Sequence, residues 1–373
     1  MVLWLSGKGL LAGINMYDPQ AWELFHLKIA PFYQDNPIFI FPLPTAFLFA
    51  PFSFLPVRWS GALWLLINEV LTTMFFWWVI GKTQYKRKLG MVFLFALIVA
   101  TFQPVIITLL SGQYNLFTLI ILAAAYVLLH EEKDWPAGLI TSLLLLRPNP
   151  FVFFIPGVLI WAMAHKRWKY IAGFTVASIG LFVISEMIQP GWIVTWLDFT
   201  IGSHGKLYSY GQIAPTLGGM LADIGRTLAP EVRTGINLMV TLLLCTAGIG
   251  VSLRKDVSLG YIFSALITIS LCITPYAWNY DHVLLLFTLA YVILSQEKRT
   301  PRIRRVIWLL VILIYTLFPY FLRFVAVKRG TDTLSGLVPY AVLLLLLIIA
   351  IFHRSVPRVK ETQRTPSLNS EAN

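Results

Sequence analysis

Arg147 stands in Leu143-Leu144-Leu145-Leu146-Arg147-Pro148-Asn149-Pro150, between two apolar stretches too short to cross a bilayer. A charge at membrane depth is costly, so such a residue normally faces a cavity, a partner or a substrate. The two prolines stop the helix and free backbone groups that lipid cannot satisfy. The spacing predicts a hairpin of two half-helices, 136–147 and 151–164, with a cation at its tip. A guanidinium there suits an anionic ligand, for instance a lipid phosphate. The alternative is an arginine reaching from a helix end to the head-group layer.

Other groups able to do chemistry lie at intervals along the chain. Gln113 and Asn115, in Ser111-Gly112-Gln113-Tyr114-Asn115, can cap the helix that follows or hold sugar hydroxyls. The segment from Thr274 to His282 contains Trp278, Asp281 and His282. Asp18 and Asp281 are the carboxylates expected to serve as general base. Asp18, in Tyr17-Asp18-Pro19, equally fits an Asx-type turn, and Asp281 equally fits a cap at a helix start. His282 can hydrogen-bond either substrate or backbone, and His204 is a solvated loop residue. Aromatics beside carboxylates, amides and imidazoles suit a sugar site, because ring faces stack on sugar CH groups while polar groups meet hydroxyls. The same Trp and Tyr also suit an interfacial belt. Cys245 and Cys272 lie in apolar runs and read as packing residues, so neither a metal nor a cofactor is expected.

A membrane scaffold must position these groups. The 373-residue chain is 58% hydrophobic and 12% charged, with mean hydropathy +0.75. A soluble domain carries about 25% charged residues, so composition excludes that class. The reading is an all-α, polytopic integral membrane protein. About nine full spans are expected, at 59–80, 91–110, 115–130, 168–188, 232–253, 258–274, 281–296, 305–322 and 335–352, in addition to the hairpin. With no long polar linker, residues 1–355 form one domain, and 356–373 a disordered cytoplasmic tail. The stretch 38–55 is broken by Pro42, Pro44 and Pro51 and reads as interfacial or re-entrant.

The net charge of +12 is not spread evenly. It sits in five clusters: Lys82 to Lys88, Lys166 to Lys169, Arg254 and Lys255, Lys298 to Arg305, and Arg354 to Lys360. All fall on one side if the hairpin enters and leaves there, and the positive-inside rule makes that side cytoplasmic. No basic stripe is interleaved with aromatics, so nucleic acid is not an expected partner; membrane lipids are. The N-terminal segment, the Arg147 tip and the loop 190–231 then lie on the extracytoplasmic face. The opening segment has no apolar span before residue 38, and a transmembrane helix preceding residue 1 is the expectation that reconciles this with its placement.

Several of these segments carry a resemblance. Gly13-Ile14-Asn15-Met16-Tyr17-Asp18-Pro19, Phe41-Pro42-Leu43-Pro44 and Ala50-Pro51-Phe52-Ser53-Phe54-Leu55-Pro56 resemble a "G-N-x-Y-D-P … Y-P-P … P-x-x-x-L-P" opening, and Trp64 and Asn68 fit the helix after it. Gly112-Gln113-Tyr114-Asn115 resembles a "G-Q-x-N" turn. Ala137-Gly138-Leu139 through Arg147-Pro148-Asn149-Pro150 resembles "A-G-L … K-P-x-P", with arginine in place of lysine. Thr274-Pro275-Tyr276-Ala277-Trp278-Asn279-Tyr280-Asp281 resembles "S-P-x-x-W-x-x-D/H". The pattern resembles glycosyltransferase family 87 of the GT-C superfamily, which includes actinobacterial phosphatidylinositol-mannoside mannosyltransferases.

The resemblance implies an inverting transfer of a sugar, mannose foremost, from a lipid-linked polyprenyl-phosphate donor to a lipid or glycan acceptor on the extracytoplasmic face of the cell membrane. A carboxylate takes the acceptor's proton and a cation stabilises the leaving phosphate. Arg147 fills the cationic role, and Tyr17, Gln113, Asn115, Asn149, Trp278 and His282 complete the expected substrate site. The family's usual acidic residue, just before the stretch matching Leu3–Ser6, is absent here, which leaves Asp18 and Asp281 as its substitutes. Two other classes compete: a transporter and a catalytically inactive membrane scaffold. A transporter shows paired charges along a path, whereas within the spans only Glu69 and Glu186 offer carboxylates, and neither is matched to Arg147. The topology places Arg147, Gln113 and Asp281 at one membrane depth, and the three are expected to approach one another around a concave site.

Overall fold

The computed structural model describes residues 2–31, 38–83, 89–201, 211–296 and 300–354, and all its regular structure there is helical. Lys86, Arg87, Lys88, His204, Lys298, Arg299, Arg358, Lys360 and the tail 356–373 lie outside the described residues. An N-terminal layer holds α1 (Val2–Leu11), α2 (Pro19–Ile29) and α3 (Pro44–Phe49). There follow α4 (Val57–Lys82), α5 (Leu89–Thr101), α6 (Gln103–Ser111), α7 (Asn115–His130), α8 (Asp134–Ser142), α9 (Phe154–Ala164), α10 (Trp168–Ile188) and α11 (Trp192–Ile201). The rest are α12 (Leu217–Ile224), α13 (Pro230–Leu253), α14 (Leu259–Ile273), α15 (Leu285–Ser295), α16 (Pro301–Ile312), α17 (Phe318–Arg329) and α18 (Leu337–Arg354).

The chain is a polytopic membrane protein, but the nine expected spans are not nine long helices. Among the described residues five segments are long and apolar enough to cross a bilayer: Val57–Lys82, Trp168–Ile188, Pro230–Leu253, Pro301–Arg329 and Thr333–Ile351. The expected span 91–110 is the pair α5 and α6, bent by 53° where Pro104 enters the helix start. The span from Pro301 passes through a π turn at Leu313–Leu317 just before Pro319, whose missing N–H disturbs the ladder there. The expected spans 115–130, 258–274 and 281–296 contain α7, α14 and α15, each shorter than a bilayer crossing. Twelve of the fifteen residues of α14 are buried. A helix surrounded by protein need not match the lipid thickness, because its neighbours satisfy its ends.

The expected hairpin is present. α8 runs into a 3₁₀ turn, Leu143–Leu146, and a second short turn, Asn149–Phe151, precedes α9. Arg167, just past α9, pairs with Asp134 at the start of α8 at 3.1 Å, so the hairpin enters and leaves at one end of the bundle. α8 packs on α10 backbone to backbone: a Cβ on Gly138 would lie 2.1 Å from the Tyr170 carbonyl oxygen. The end that holds Arg167 also holds Lys82, Lys133, Arg254 and Lys255. Lys133 holds the Glu131 carboxyl below its ordinary value, with a smaller contribution from Lys82, so α4 and α7 end together. Gly260, just after Arg254, lies against Tyr126 and Tyr291, which brings the start of α14 and the end of α15 to the same place.

At the opposite end the stretch 38–55 is not a span. It runs without regular structure through a bend at Phe41, then forms α3 and a 3₁₀ turn, Pro51–Phe54. Leu5, Met16, Tyr17, Trp22, Phe39, Leu43, Ala46 and Trp192 form a small core of their own under this layer.

Candidate functional site

Arg147 is the C-cap of the 3₁₀ turn and precedes Pro148, which disfavours the helical region, and its backbone opens to φ −138°, ψ 74°. The Leu146 carbonyl just before it accepts the Thr45 hydroxyl at 2.6 Å and the Tyr114 hydroxyl at 2.9 Å. The hairpin tip is thereby tied both to α3 and to the turn before α7. The guanidinium sits among three rings, with its carbon 5.4 Å from the Phe41 centroid, 4.9 Å from Tyr114 and 5.2 Å from Tyr280. It is a boxed cation and not one reaching for the head groups: the residue is only 3% exposed.

Its charge has a partner. Nε and Nη2 each lie 2.8 Å from Asp281 Oδ1, and Nη1 donates to Gln113 Oε1 at 3.4 Å. The expected approach of Arg147, Gln113 and Asp281 is therefore present, and Asp281 is the carboxylate partner that neither Glu69 nor Glu186 supplies. The two residues are far apart in sequence, and Asp281 lies on the short 3₁₀ turn before α15 and not inside a long helix. Asp281 is 1% exposed and engaged on both oxygens. Oδ1 also accepts Asn115 Nδ2 at 2.7 Å, and Oδ2 accepts the Trp278 backbone N–H at 2.7 Å. It is thus both a helix-start cap and the counter-ion of Arg147. A buried pair of this kind holds a geometry, and removing one partner costs about 3–5 kcal/mol because the other charge stays buried.

The remaining expected site residues divide. Asn115 is fully buried and donates to the Tyr280 carbonyl at 3.1 Å as well as to Asp281, so it ties α7 to the Asp281 turn and faces no open space. Trp278 is half-buried, and its indole N–H donates to the Tyr276 hydroxyl. His282 is buried, and its Nε2 has no hydrogen-bond partner among the described residues. Tyr17 is buried in the N-terminal layer, and its hydroxyl donates to the Phe41 carbonyl at 2.9 Å, behind the ring that covers Arg147. Asp18 caps α2: its Oδ1 accepts the backbone N–H groups of Gln20 at 2.9 Å and Ala21 at 3.2 Å, and the residue is exposed. Glu186 accepts the Gly191 N–H at 2.7 Å and closes the turn after α10.

Two cavities meet at the tip. The smaller, about 10 Å³ and so with room for about one water, is lined by Arg147, Asp281, Phe41, Pro42, Tyr276 and four residues shared with the larger one: Ile40, Pro148, Asn149 and Trp196. The larger, about 370 Å³, is mostly apolar and continues along Leu145, Phe151, Val152, Ile155 and Pro156 of the hairpin and Leu197 and Ile201 of α11. Sequence reasoning missed Ile40, Phe41 and Trp196, which line the cavities, and Tyr114 and Tyr280, which box the guanidinium. Tyr114 and Tyr280 stand between or beside residues already singled out, Gln113, Asn115 and Asp281, and that adjacency was the available signal. Nothing in the sequence places α11 against the hairpin.

A second polar cluster lies at the same end. Asp223 of α12 accepts the Thr333 hydroxyl at 2.6 Å, the Thr331 hydroxyl at 2.9 Å and Arg329 at 3.0 Å on Oδ2, and Arg226 at 3.0 Å on Oδ1. The Thr333 hydroxyl foremost, against the opposing effect of burial, holds its carboxyl down to about 2. Neighbouring Asp332 accepts Asn279 Nδ2, which links this cluster to the turn that carries Asp281. No group of three or more His, Cys, Asp or Glu residues suited to a metal ion occurs among the described residues.

The family model described as Glycosyltransferase family 87 matches residues 39–275, which takes in the Phe41 wall, Gln113, Asn115 and the whole hairpin. No curated protein and no solved structure matches the chain.

Proposed function

The chain belongs to glycosyltransferase family 87, and from that premise we propose that it moves a sugar, mannose in our reading, from a polyprenyl-phosphate donor to a lipid or glycan acceptor on the extracytoplasmic face of the cell membrane. Family and helices together make it a membrane glycosyltransferase. The observation that supports the finer reading is the pair of cavities at the hairpin tip. A cation and its carboxylate partner line a small pocket, and an apolar groove opens beside it through shared walls. A phosphate carrying a long hydrocarbon tail matches that juxtaposition. A soluble nucleotide would leave the groove unused and offer the pocket a base and a second phosphate with no matching surface.

In this reading the phosphate lies against Arg147, held flat by its three rings and by Asp281. The acceptor oxygen bonds to the anomeric carbon while the bond from that carbon to the phosphate oxygen breaks, and the phosphate leaves with the electron pair. Negative charge grows on the phosphate as this happens, so a fixed cation in a site shielded from water stabilises the transition state more than the ground state. The acceptor proton goes to a carboxylate. Both oxygens of Asp281 are engaged, so we assign it to positioning Arg147. Asp18, exposed and with only Oδ1 engaged by its helix, is our base.

Reconstituted protein supplied with radiolabelled mannose as the polyprenyl-phosphate or as the nucleotide sugar tests this reading. Transfer from the lipid-linked donor alone is expected. Transfer from the nucleotide sugar at an equal rate would overturn the reading.

A further inference from the structure

Glu69 is used by neither the fold nor the transfer site. It lies twelve residues from the start of α4 at Val57 and thirteen from its end at Lys82. At about 1.5 Å per residue this is roughly 18–20 Å from either end, the middle of the hydrocarbon layer. The buried face of α4 is made by Ser60, Trp64, Asn68, Phe75 and Val79. Glu69 is about 100° further round the helix than Asn68, and it is exposed together with Leu65, Leu66 and Thr73. The Thr73 hydroxyl donates to the Glu69 backbone carbonyl at 2.9 Å, and the carboxylate has no partner among the described residues.

A carboxylate facing acyl chains at mid-bilayer is costly, and intramembrane acids are normally paired. We infer that this face of α4 docks a transmembrane helix of a different chain, one that presents a lysine or arginine at mid-bilayer depth. Charge complementarity selects that occupant. A second copy of this chain, in the same orientation and packed through the same face, would set Glu69 against Glu69. Nor does another described helix of this chain offer it a cation at that depth: Arg58 and Lys82 lie in the end turns of α4, and Arg323 is near the end of its span and faces Asp332 at 3.7 Å. Thr73, one turn from Glu69, lets a neighbouring backbone approach closely and can hydrogen-bond across the contact.

The probe is a synthetic poly-leucine helix of about 21 residues with one central lysine, carrying a dansyl group. The whole protein is reconstituted in vesicles, and energy transfer from its tryptophans to the dansyl group reads binding. Wild type is expected to bind the lysine peptide about tenfold more tightly than the all-leucine peptide. Glu69→Leu should lose that preference, and Glu69→Lys should transfer it to a peptide with a central glutamate. Sugar transfer by Glu69→Leu in the same vesicles should equal wild type, which shows that the variant is folded. Equal binding of the two peptides by wild type would overturn the inference, as would full lysine-peptide binding by Glu69→Leu. A disulfide-linked dimer of Thr73→Cys in vesicles would overturn it in favour of a second copy.

Discussion

The chemistry of Arg147 depends on a residue 134 positions away in the chain. Because Asp281 is its buried partner, Arg147→Ala would leave a carboxylate in the interior with no counter-ion, and about 3–5 kcal/mol of stability should go with it. Thermal unfolding in detergent should show this as a lower midpoint, and an unchanged midpoint would mean that the pair is loose. Loss of activity in that variant therefore says little by itself. Asp18 allows a cleaner experiment. Asparagine caps a helix about as well as aspartate, so Asp18→Asn should keep α2 and the melting midpoint while removing the proposed base. A positioned base contributes about 10²–10⁴ in rate, and the variant should lose transfer by about that factor. Transfer at the wild-type rate would place the base elsewhere. Of the site, Arg147, Gln113 and Asp281 were legible as single residues because each is a polar group stranded at a helix break. Their convergence was legible too, from the common membrane depth that the topology gives them, whereas the atoms that meet were not, since no local pattern encodes a side-chain contact.

The hairpin was the most legible element. Its length, its prolines and the charge at its tip are local features, and the ion pair of Arg167 with Asp134 closes it as a re-entrant unit. The spans were legible as apolar runs but not as lengths: α7, α14 and α15 are shortened because protein and not lipid surrounds them, and a composition window does not register the difference. The Asp223 cluster was invisible, since it joins α12 to residues 331–333 across more than a hundred positions. It carries a pH dependence. The Asp223 carboxyl titrates near 2 when folded, below the ordinary value of 3.8. Its contribution to stability is therefore complete above about pH 4 and lost as the pH falls from there towards 2. Hydrogen exchange at residues 331–335 should accelerate across that window in wild type and show no such step in Asp223→Asn. A step that persists in the variant would assign it to another group.

In the whole molecule, one end of the bundle holds the expected basic clusters that fall on described residues: Lys82, Lys166 to Lys169, Arg254 and Lys255, and Arg302 to Arg305. The other holds the boxed cation, the two cavities and the Asp223 cluster with its own Arg226 and Arg329. By the positive-inside rule we propose that the first of these ends is cytoplasmic. Cysteines placed at Lys133 and at Thr227 should react with a membrane-impermeant reagent from opposite sides, Thr227→Cys from outside the cell. Labelling of both from one side would contradict the orientation. The central claim is that a fixed cation at the hairpin tip stabilises a leaving lipid phosphate. The most direct test is the rate of mannose transfer from polyprenyl-phosphate mannose by the reconstituted double variant Arg147→Gln with Asp281→Asn, normalised to folded protein. The two changes remove both buried charges together, so neither is left unpaired, and a melting midpoint near that of wild type is the accompanying check on the fold. The account predicts a loss of about a hundredfold or more, the value of one fixed donor at a developing anion. Turnover near that of wild type would contradict it.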